Sequence, residues 1–361
     1  MKFKKLISLT LCTTLLSTFM VGCSKKEDTT SKDDKEKQYS VSMISDVAGI
    51  NDHSFNQSAW EGLERAKKEL GIEIKYLESK QDSDYATNVE TLADEEVDLI
   101  IGVGSKLSDT IKEAAKNYPD QKFAIIDETY DEIPSNVKSV LFESEQASYL
   151  VGLIAGKMSE TKNVGFIGGL DIPVINTFKY GYMAGVKAAD ANCEIQAQYA
   201  NSFNDQAKGK AITNQMISKG ADVIFPCAGA CGTGAIEAVK EANKMSVGVD
   251  RDQYDLAPDN MLTSAMKNID VAVANLVRDF VNGDYKGGEV KNGTLANNGV
   301  GLASTTDKNV SEKILKYVDE TYPVNAATSE EVDINNINIK DKLADDLTDD
   351  FGMNLQSVMD S

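Results

Sequence analysis

Basic residues and histidine are scarce in this chain. Its 361 residues include 37 Lys and Arg against 57 Asp and Glu, giving a formal net charge of -20, and His53 is the only histidine. An acidic surface repels phosphates, so we exclude nucleic acid as a partner. One histidine offers no credible Ser-His-Asp set, and no metal cluster is visible. We therefore predict no catalytic residues, no metal and no cofactor.

Cysteines are few and lack the spacing of a disulfide framework. Two of the five lie in the first 23 residues, which leaves the odd number Cys193, Cys227 and Cys231. The spacing from Cys227 to Cys231 is compatible with a metal or redox pair, but no histidine or further cysteine lies nearby. A tight loop of small, partly apolar residues is the favoured interpretation.

No apolar run is long enough to be a comfortable membrane-spanning helix. A basic start at residues 2–5 is followed by a mainly apolar run, 6–21, which is typical of a secretory leader. Residues 20–23, Met-Val-Gly-Cys, resemble a bacterial lipobox, in which the cysteine is lipidated and becomes the first mature residue. We predict a signal peptide over 1–22 and a lipid anchor at Cys23. The alternative, an ordinary secretory signal, also places the protein outside the cytoplasm.

The two ends of the mature chain are too polar to form a core. Residues 24–39 contain no Leu, Ile, Val or Phe, so we interpret 23–38 as a flexible tether. Stable anchoring to the membrane would take at least two acyl chains on the cysteine. Residues 326–361 form an acidic C-terminal extension with no assigned role.

Between these ends, short apolar or β-branched runs alternate with segments of helical spacing. The length and a hydrophobic content of 42% suit two α/β lobes, each with its own core. Repeated βα alternation predicts mainly parallel sheets with helices on both faces. Strands are predicted at 40–45, 72–77, 97–103, 122–128, 137–142, 163–168, 194–200, 222–227, 246–249 and 261–266.

The first helix has recognisable end signals. Gly71 stands where a C-terminal cap belongs. Ser54 followed by Gln57 predicts a capping box, which would put Phe55 and Asn56 in the first turn.

Carboxylates and glycines recur where predicted strands end. Ligands of open α/β sheets bind beyond the carboxyl ends of the strands, so these residues are candidates for a cleft. As an alternative, Asp and Gly are common after strands simply as turn and cap residues. The candidates are Asp46, Gly104, Asp127, Gly168, Gly169, Gly229 and Asp250.

Several motifs, in order along residues 39–304, resemble the basic membrane protein family of ABC-transporter substrate-binding lipoproteins, which includes the purine nucleoside receptor type. The motifs are 46–57, 60–62, 123–127, 168–169, Pro173 with Phe178 and Gly181, 248–250, 264–267, 283–288 and 299–301. Two departures occur: the cysteines at 227 and 231, where the family has a glycine-rich run, and His53, where it often has lysine.

The resemblance implies an α/β fold of two Rossmann-like lobes, like type I periplasmic binding proteins, with the ligand in the cleft between them. The first lobe would comprise 39–145 and about 268–303, the second 146–267 and about 304–325. Implied partners are a purine nucleoside, an ABC permease and its ATPase subunits, with the receptor acting as a monomer.

The resemblance also implies roles for individual residues. Phe55 and Phe178 would stack on opposite faces of the base. Asp127 would accept hydrogen bonds from the purine edge and Asp250 from the ribose hydroxyls. The remaining polar shell would be Asp46, Asn56, Gly229 and Lys267.

Other interpretations stay open at this point. The two phenylalanines could be core residues, the aspartates helix caps, and Lys267 a solvated lysine at a strand end. The ligand could be a sugar or an autoinducer, and an adhesin or sensor could keep the same fold. The aspartates at 46 and 52 also resemble, superficially, the start of a calcium-dependent nucleoside hydrolase.

Overall fold

The structure is a computed structural model that describes residues 37–321. The predicted signal peptide, Cys23, most of the tether and the acidic extension lie outside the described residues. Within them the chain alternates strands and helices as the sequence predicts. The strands are β1 Ser40–Ser45, β2 Glu73–Glu78, β3 Leu99–Val103, β4 Lys122–Ile126, β5 Val137–Phe142, β6 Asn163–Gly168, β7 Glu194–Tyr199, β8 Val223–Cys227, β9 Met245–Asp250, β10 Met261–Lys267, β11 Glu289–Gly293 and β12 Val300–Leu302. The helices are α1 Phe55–Leu70, α2 Asp84–Asp94, α3 Ser108–Asn117, α4 Ser144–Met158, α5 Pro173–Ala189, α6 Gln206–Ser218, α7 Gly229–Glu241, α8 Ile269–Val281 and α9 Glu312–Thr321.

The strands form two six-stranded sheets with the same internal order. One sheet runs β2-β1-β3-β4-β5-β11 and the other β7-β6-β8-β9-β10-β12. Neighbouring strands are parallel except for β10 and β12, which pair antiparallel. The predicted α/β architecture with two parallel-sheet lobes is confirmed. We call the lobe built on β1 the first lobe and that built on β6 the second.

Burial of the strands follows their position in the sheets. Residues of β3, β6 and β8 are all buried, because helices cover both faces of a parallel sheet. The edge strands β2, β7 and β11 are mostly exposed or half-buried. In the part of the chain that the structure describes, no helix combines the length and apolar character needed to cross a bilayer.

The chain passes between the lobes after β5, after β10 and between β11 and β12. Helix α4 packs against α5 in the second lobe, and α8 returns to pack against α1 in the first. The segment 268–303, which the sequence assigns to the first lobe, ends in β12, and β12 pairs with β10 of the second sheet. Its three residues are too few to show a period, so this last change of sheet has no sequence signal.

Candidate ligand-binding site between the two lobes

The carboxyl ends of the two sheets face a common cavity. In each sheet the strand order switches from one side to the other between two central strands. These are β1 and β3 in the first sheet and β6 and β8 in the second. Ligands of such folds bind at this switch point. The cavity walls include all eight residues that the sequence singled out: Asp46, Phe55, Asn56, Asp127, Phe178, Gly229, Asp250 and Lys267.

Asp46 lies directly after β1 and is buried. Its Oδ1 accepts hydrogen bonds from the backbone N–H of Ala48 at 2.9 Å and from Asn56 Nδ2 at 2.8 Å. Burial raises the pKa of Asp46 to about 6, although these hydrogen bonds act in the opposite direction. The Oδ1 atom of Asn56 is buried and has no hydrogen-bond partner among the described residues. A ligand donor would satisfy it.

Asp52, which is not among the predicted ligand-binding residues, shapes the start of α1. Its carboxylate accepts hydrogen bonds from the backbone N–H groups of Ser54, Asn56 and Gln57 at 2.9–3.1 Å. The predicted capping box is therefore wrong, since Ser54 makes no side-chain cap and the more distant Asp52 takes that role. The expected outcome still holds, because Phe55 and Asn56 lie in the first turn. Gly71 ends the helix with φ of 68°, as predicted.

Phe55 and Phe178 reach the cavity from different lobes. Phe55 is half-buried at the start of α1, and Phe178, on α5, is 2% exposed and packs edge-on against Phe225. The ammonium of Lys267 lies 5.4 Å from the ring centroid of Phe55 and 4.9 Å from that of Phe178. Both rings thus line one cavity, while Phe178 also belongs to the main hydrophobic core and Phe55 packs against it.

Lys267 and Asp127 form a buried ion pair across the cleft. Nζ of Lys267, at the end of β10 in the second lobe, donates to Oδ2 of Asp127 in the first at 2.5 Å, and their side chains are 2% and 7% exposed. The alternative of a solvated Lys267 is wrong. A buried charge needs a paired partner, and β10 ends at the interior face of the cleft, where Asp127 supplies one.

Asp250 ends β9 in the second lobe with φ of 66°, and Asp127 follows β4 in the first with φ of 64°. This left-handed conformation costs a non-glycine residue about 1–3 kcal/mol and tends to cluster at functional sites. Asp250 Oδ2 accepts a hydrogen bond of 2.5 Å from Ser54 Oγ of the first lobe. Burial raises the pKa of Asp250 to about 6, against the lowering effects of Lys267 and this hydrogen bond.

Gly229 begins α7 with φ of 53°, and a side chain there would crowd the carbonyl of Phe203. Phe203 itself lines the cavity, as does Cys227. Cys227 and Cys231 are free and buried, and no cluster of three or more metal-ligating side chains occurs in residues 37–321. Burial raises the pKa of the Cys227 thiol well above its usual value, which disfavours the reactive thiolate.

Some cavity residues had no clear sequence signal. Lys106 lines the wall and pairs with Asp82 at 2.8 Å. Ile172 and Ile175 supply apolar surface from the start of α5. Lys106 and Ile172 come from segments between motifs, and Ile175 is not one of the motif residues, so only the folded chain identifies them. His53 is exposed, next to Asp52 of the cavity wall.

Residues 39–336 match the family model described as Bmp, ABC transporter substrate-binding protein PnrA-like. The chain belongs to this family. The family's proteins bind substrates for ABC transporters, and the resemblance noted in the sequence is confirmed.

Two relatives and one solved structure illustrate the similarity. A CD4+ T-cell-stimulating antigen of Listeria innocua serovar 6a is 40% identical over 341 residues, covering 88% of this chain and 95% of that protein. An ABC transporter nucleoside-binding protein BmpA of Lactococcus lactis subsp. cremoris is 35% identical over 304 residues, covering 78% and 86%. The crystal structure of an ABC transporter solute-binding protein from Aeropyrum pernix K1 matches with a TM-score of 0.71 at 28% identity, covering 89% and 90%.

Proposed function

We propose that this Bmp-family protein is a lipid-anchored extracytoplasmic receptor that binds a purine nucleoside and delivers it to an ABC permease with its ATPase subunits. The observation that carries the proposal is that Phe55 and Phe178, from different lobes, share one cavity with the buried carboxyl groups of Asp46, Asp127 and Asp250. The nucleoside-binding name of the Lactococcus relative points to the same ligand class.

The two rings suit the faces of a planar base. Stacking of one base on an aromatic side chain contributes about 1–3 kcal/mol and tolerates any base, since every base has a π-face. Phe178 is held by Phe225 in the second lobe, whereas Phe55 is carried by α1 of the first. A base between them would touch both lobes at once, so its binding would favour closure of the cleft.

Asp127 is suited to the polar edge of the base. Its Oδ2 is occupied by Lys267, while its Oδ1 accepts no hydrogen bond from the described part of the chain. A carboxylate held next to an ammonium offers a strong acceptor to a ring N–H. Guanosine and inosine carry a hydrogen on N1 and adenosine does not, so we expect the 6-oxo nucleosides to bind more tightly.

Asp250 and Asn56 are suited to the sugar. One carboxylate oxygen of Asp250 accepts a hydrogen bond from Ser54, and Asn56 Oδ1 is a buried acceptor without a donor from residues 37–321. Ribose hydroxyls are donors that match both groups. Three carboxyl groups in one cavity would repel a phosphate, which favours nucleosides over nucleotides.

Calorimetry of the ligand-stripped protein against nucleosides, free bases, nucleotides and sugars tests the proposal. We expect inosine and guanosine to bind most tightly, with weaker binding of hypoxanthine and no binding of the monophosphates. Binding of a sugar alone would replace the nucleoside assignment, and release of hypoxanthine from inosine would show an enzyme instead.

Membrane anchoring is tested separately at Cys23. In the native host we expect the mature N-terminal peptide to carry acyl chains by mass spectrometry, and Cys23→Ser to release the protein from the membrane fraction. An unmodified Cys23 in a secreted protein would leave only the secretory signal. Size-exclusion chromatography with light scattering checks the expected monomer.

A further inference from the structure

Gln253, outside the cavity wall, joins the two lobes beside Asp250. It lies between β9 and β10 in the second lobe and is 3% exposed. Its Oε1 accepts a hydrogen bond from the backbone N–H of Val249 at 2.9 Å, next to Asp250. Its Nε2 donates to the backbone carbonyl of His53 in the first lobe at 2.8 Å. One side chain therefore contacts the backbone that carries Asp250 and the loop that faces it.

A second hydrogen bond between the lobes is donated by the first lobe and accepted by the second. Ser54, next to His53, donates from Oγ to Asp250 Oδ2 at 2.5 Å. We call these two contacts, Gln253 to His53 and Ser54 to Asp250, the interlobe bridge. Since each contact has one partner in each lobe, the bridge exists only when the lobes meet.

The second lobe is built to hold Gln253 in place. The backbone N–H of Gln253 donates to Ser264 Oγ at 3.1 Å, on the adjacent strand β10. Gly248 leaves the space that this arrangement needs, because a Cβ there would lie 2.3 Å from Ser264 Oγ and 3.0 Å from Gln253 Oε1. The backbone, a neighbouring strand and a glycine thus all constrain the orientation of this amide.

We propose that Gln253 is a positioning residue that couples the orientation of Asp250 to closure of the lobes. The amide that binds the first lobe also accepts a hydrogen bond from the N–H of Val249, the residue before Asp250, which has the left-handed φ of 66°. Opening the cleft breaks the bridge, and the bridge in turn slows opening. Slower opening would slow release of the purine nucleoside. This part of the inference rests on the proposed function.

Two variants separate the two hydrogen bonds of the amide. Gln253→Met has similar length and removes both bonds, whereas Gln253→Glu keeps an acceptor for Val249 and loses the donor to His53. Gln121→Met is the matched control, because the Gln121 amide also donates to backbone carbonyls, those of Val97 at 2.7 Å and Lys122 at 3.0 Å, but within the first lobe only.

Dissociation of inosine is followed by stopped flow, using the fluorescence of Trp60, the single tryptophan of the chain. One lost hydrogen bond corresponds to a roughly 3- to 10-fold change in rate. We expect both Gln253 variants to release inosine faster by that factor, with association within twofold of wild type. Gln121→Met should lower the unfolding temperature and leave dissociation unchanged.

Small-angle scattering of the ligand-free full chain gives a readout that needs no ligand. Both Gln253 variants should have a larger radius of gyration than wild type and Gln121→Met. If Gln253 variants match the control in dissociation rate and radius, the inference is overturned. If wild type does not bind inosine, the proposed ligand is wrong, and the radius of gyration alone decides whether the bridge holds the lobes together.

Discussion

The two lobes have the same strand order but place different side chains around it. Strands β4 and β9 occupy the same place in the order of their sheets, and each leads to a buried aspartate in the left-handed conformation, Asp127 or Asp250. Asp127 meets an ammonium from the opposite lobe, whereas Asp250 meets a serine hydroxyl. A repeated backbone therefore sets where two carboxyl groups lie, and the side chains of the other lobe decide what each can do.

The difference matters because both partners come from across the cleft. When the lobes separate, Asp127 and Asp250 both regain water, but only Asp127 loses a charge partner. The aspartates thus make unequal contributions to closure, and the following substitutions test that inequality.

Lys267→Met should have the largest effect, since it makes Asp127 a buried carboxylate without a cation. Removing one partner of a buried pair costs about 3–5 kcal/mol, which here penalises the closed state and weakens inosine binding by more than about a hundredfold. Calorimetry measures this. Lys210→Met, which breaks the surface pair of Lys210 with Glu241, is the control and should leave affinity unchanged. An affinity within threefold of wild type would show that the pair is not coupled to closure.

Asp250→Ala should have the second largest effect on affinity, and the loss should depend on whether the ligand carries a ribose. Loss of a charge-assisted hydrogen bond corresponds to about 1.5–3 kcal/mol, so inosine should bind roughly 10- to 100-fold more weakly. Hypoxanthine, which has no ribose, should change less than threefold. Titration of both ligands into the variant measures the ratio, and equal losses would contradict a ribose role for Asp250.

Phe55→Ala and Phe178→Ala compare the aromatic residues that the two lobes contribute to the cavity. We expect it to weaken binding by about 1–3 kcal/mol with little change in unfolding temperature, because Phe55 is only half-buried. Phe178→Ala should weaken binding and also destabilise the fold, since Phe178 packs on Phe225. Unchanged affinity in Phe55→Ala would remove this ring from the site.

The pH dependence of the free energy of unfolding should be the smallest effect, and it should be similar for the aspartates of the two lobes. Asp46 and Asp250 have pKa values raised from 3.8 to about 6, so between these limits the folded state binds more protons than the unfolded state. Stability should therefore fall as pH rises from about 4 to 6, by on the order of 1–2 kcal/mol for each group.

Urea unfolding of wild type, Asp46→Asn and Asp250→Asn over this pH range isolates each contribution, because asparagine does not titrate. Each variant should lose part of the downward slope. A slope identical to that of wild type would show that the carboxyl group titrates alike in both states.

Most of the fold could be predicted from local pattern. Runs such as 163–168 and 222–227 become strands because they are short, apolar and bounded by turn residues, and the α/β alternation then implies parallel sheets. Strands β11 and β12 were not predicted, since β11 is mostly polar and exposed and the three residues of β12 show no period. The capping box failed for a related reason: the distance pattern of Ser54 and Gln57 was satisfied, but Asp52 competed for the same N–H groups.

The candidate site was predictable where residues stand at strand ends or within family motifs. All eight selected residues line one cavity, while Asp52, Lys106 and Phe203 were missed. Asp52 lies within the motif 46–57, but its role depends on the backbone N–H groups that it meets at the start of α1. Phe203 lies in a loop whose position depends on its packing over Gly169 and Gly229.

By itself, the sequence determined the alternation of strands and helices, the family, and which side chains stand at the carboxyl ends of the strands, because these depend on neighbours a few residues apart. Only the tertiary structure decided that Lys267 is buried against Asp127, that Ser54 binds Asp250 instead of capping its helix, and that Gln253 reaches His53. Each of these contacts joins residues more than 100 positions apart, and it forms only where two separately folded sheets bring their ends together.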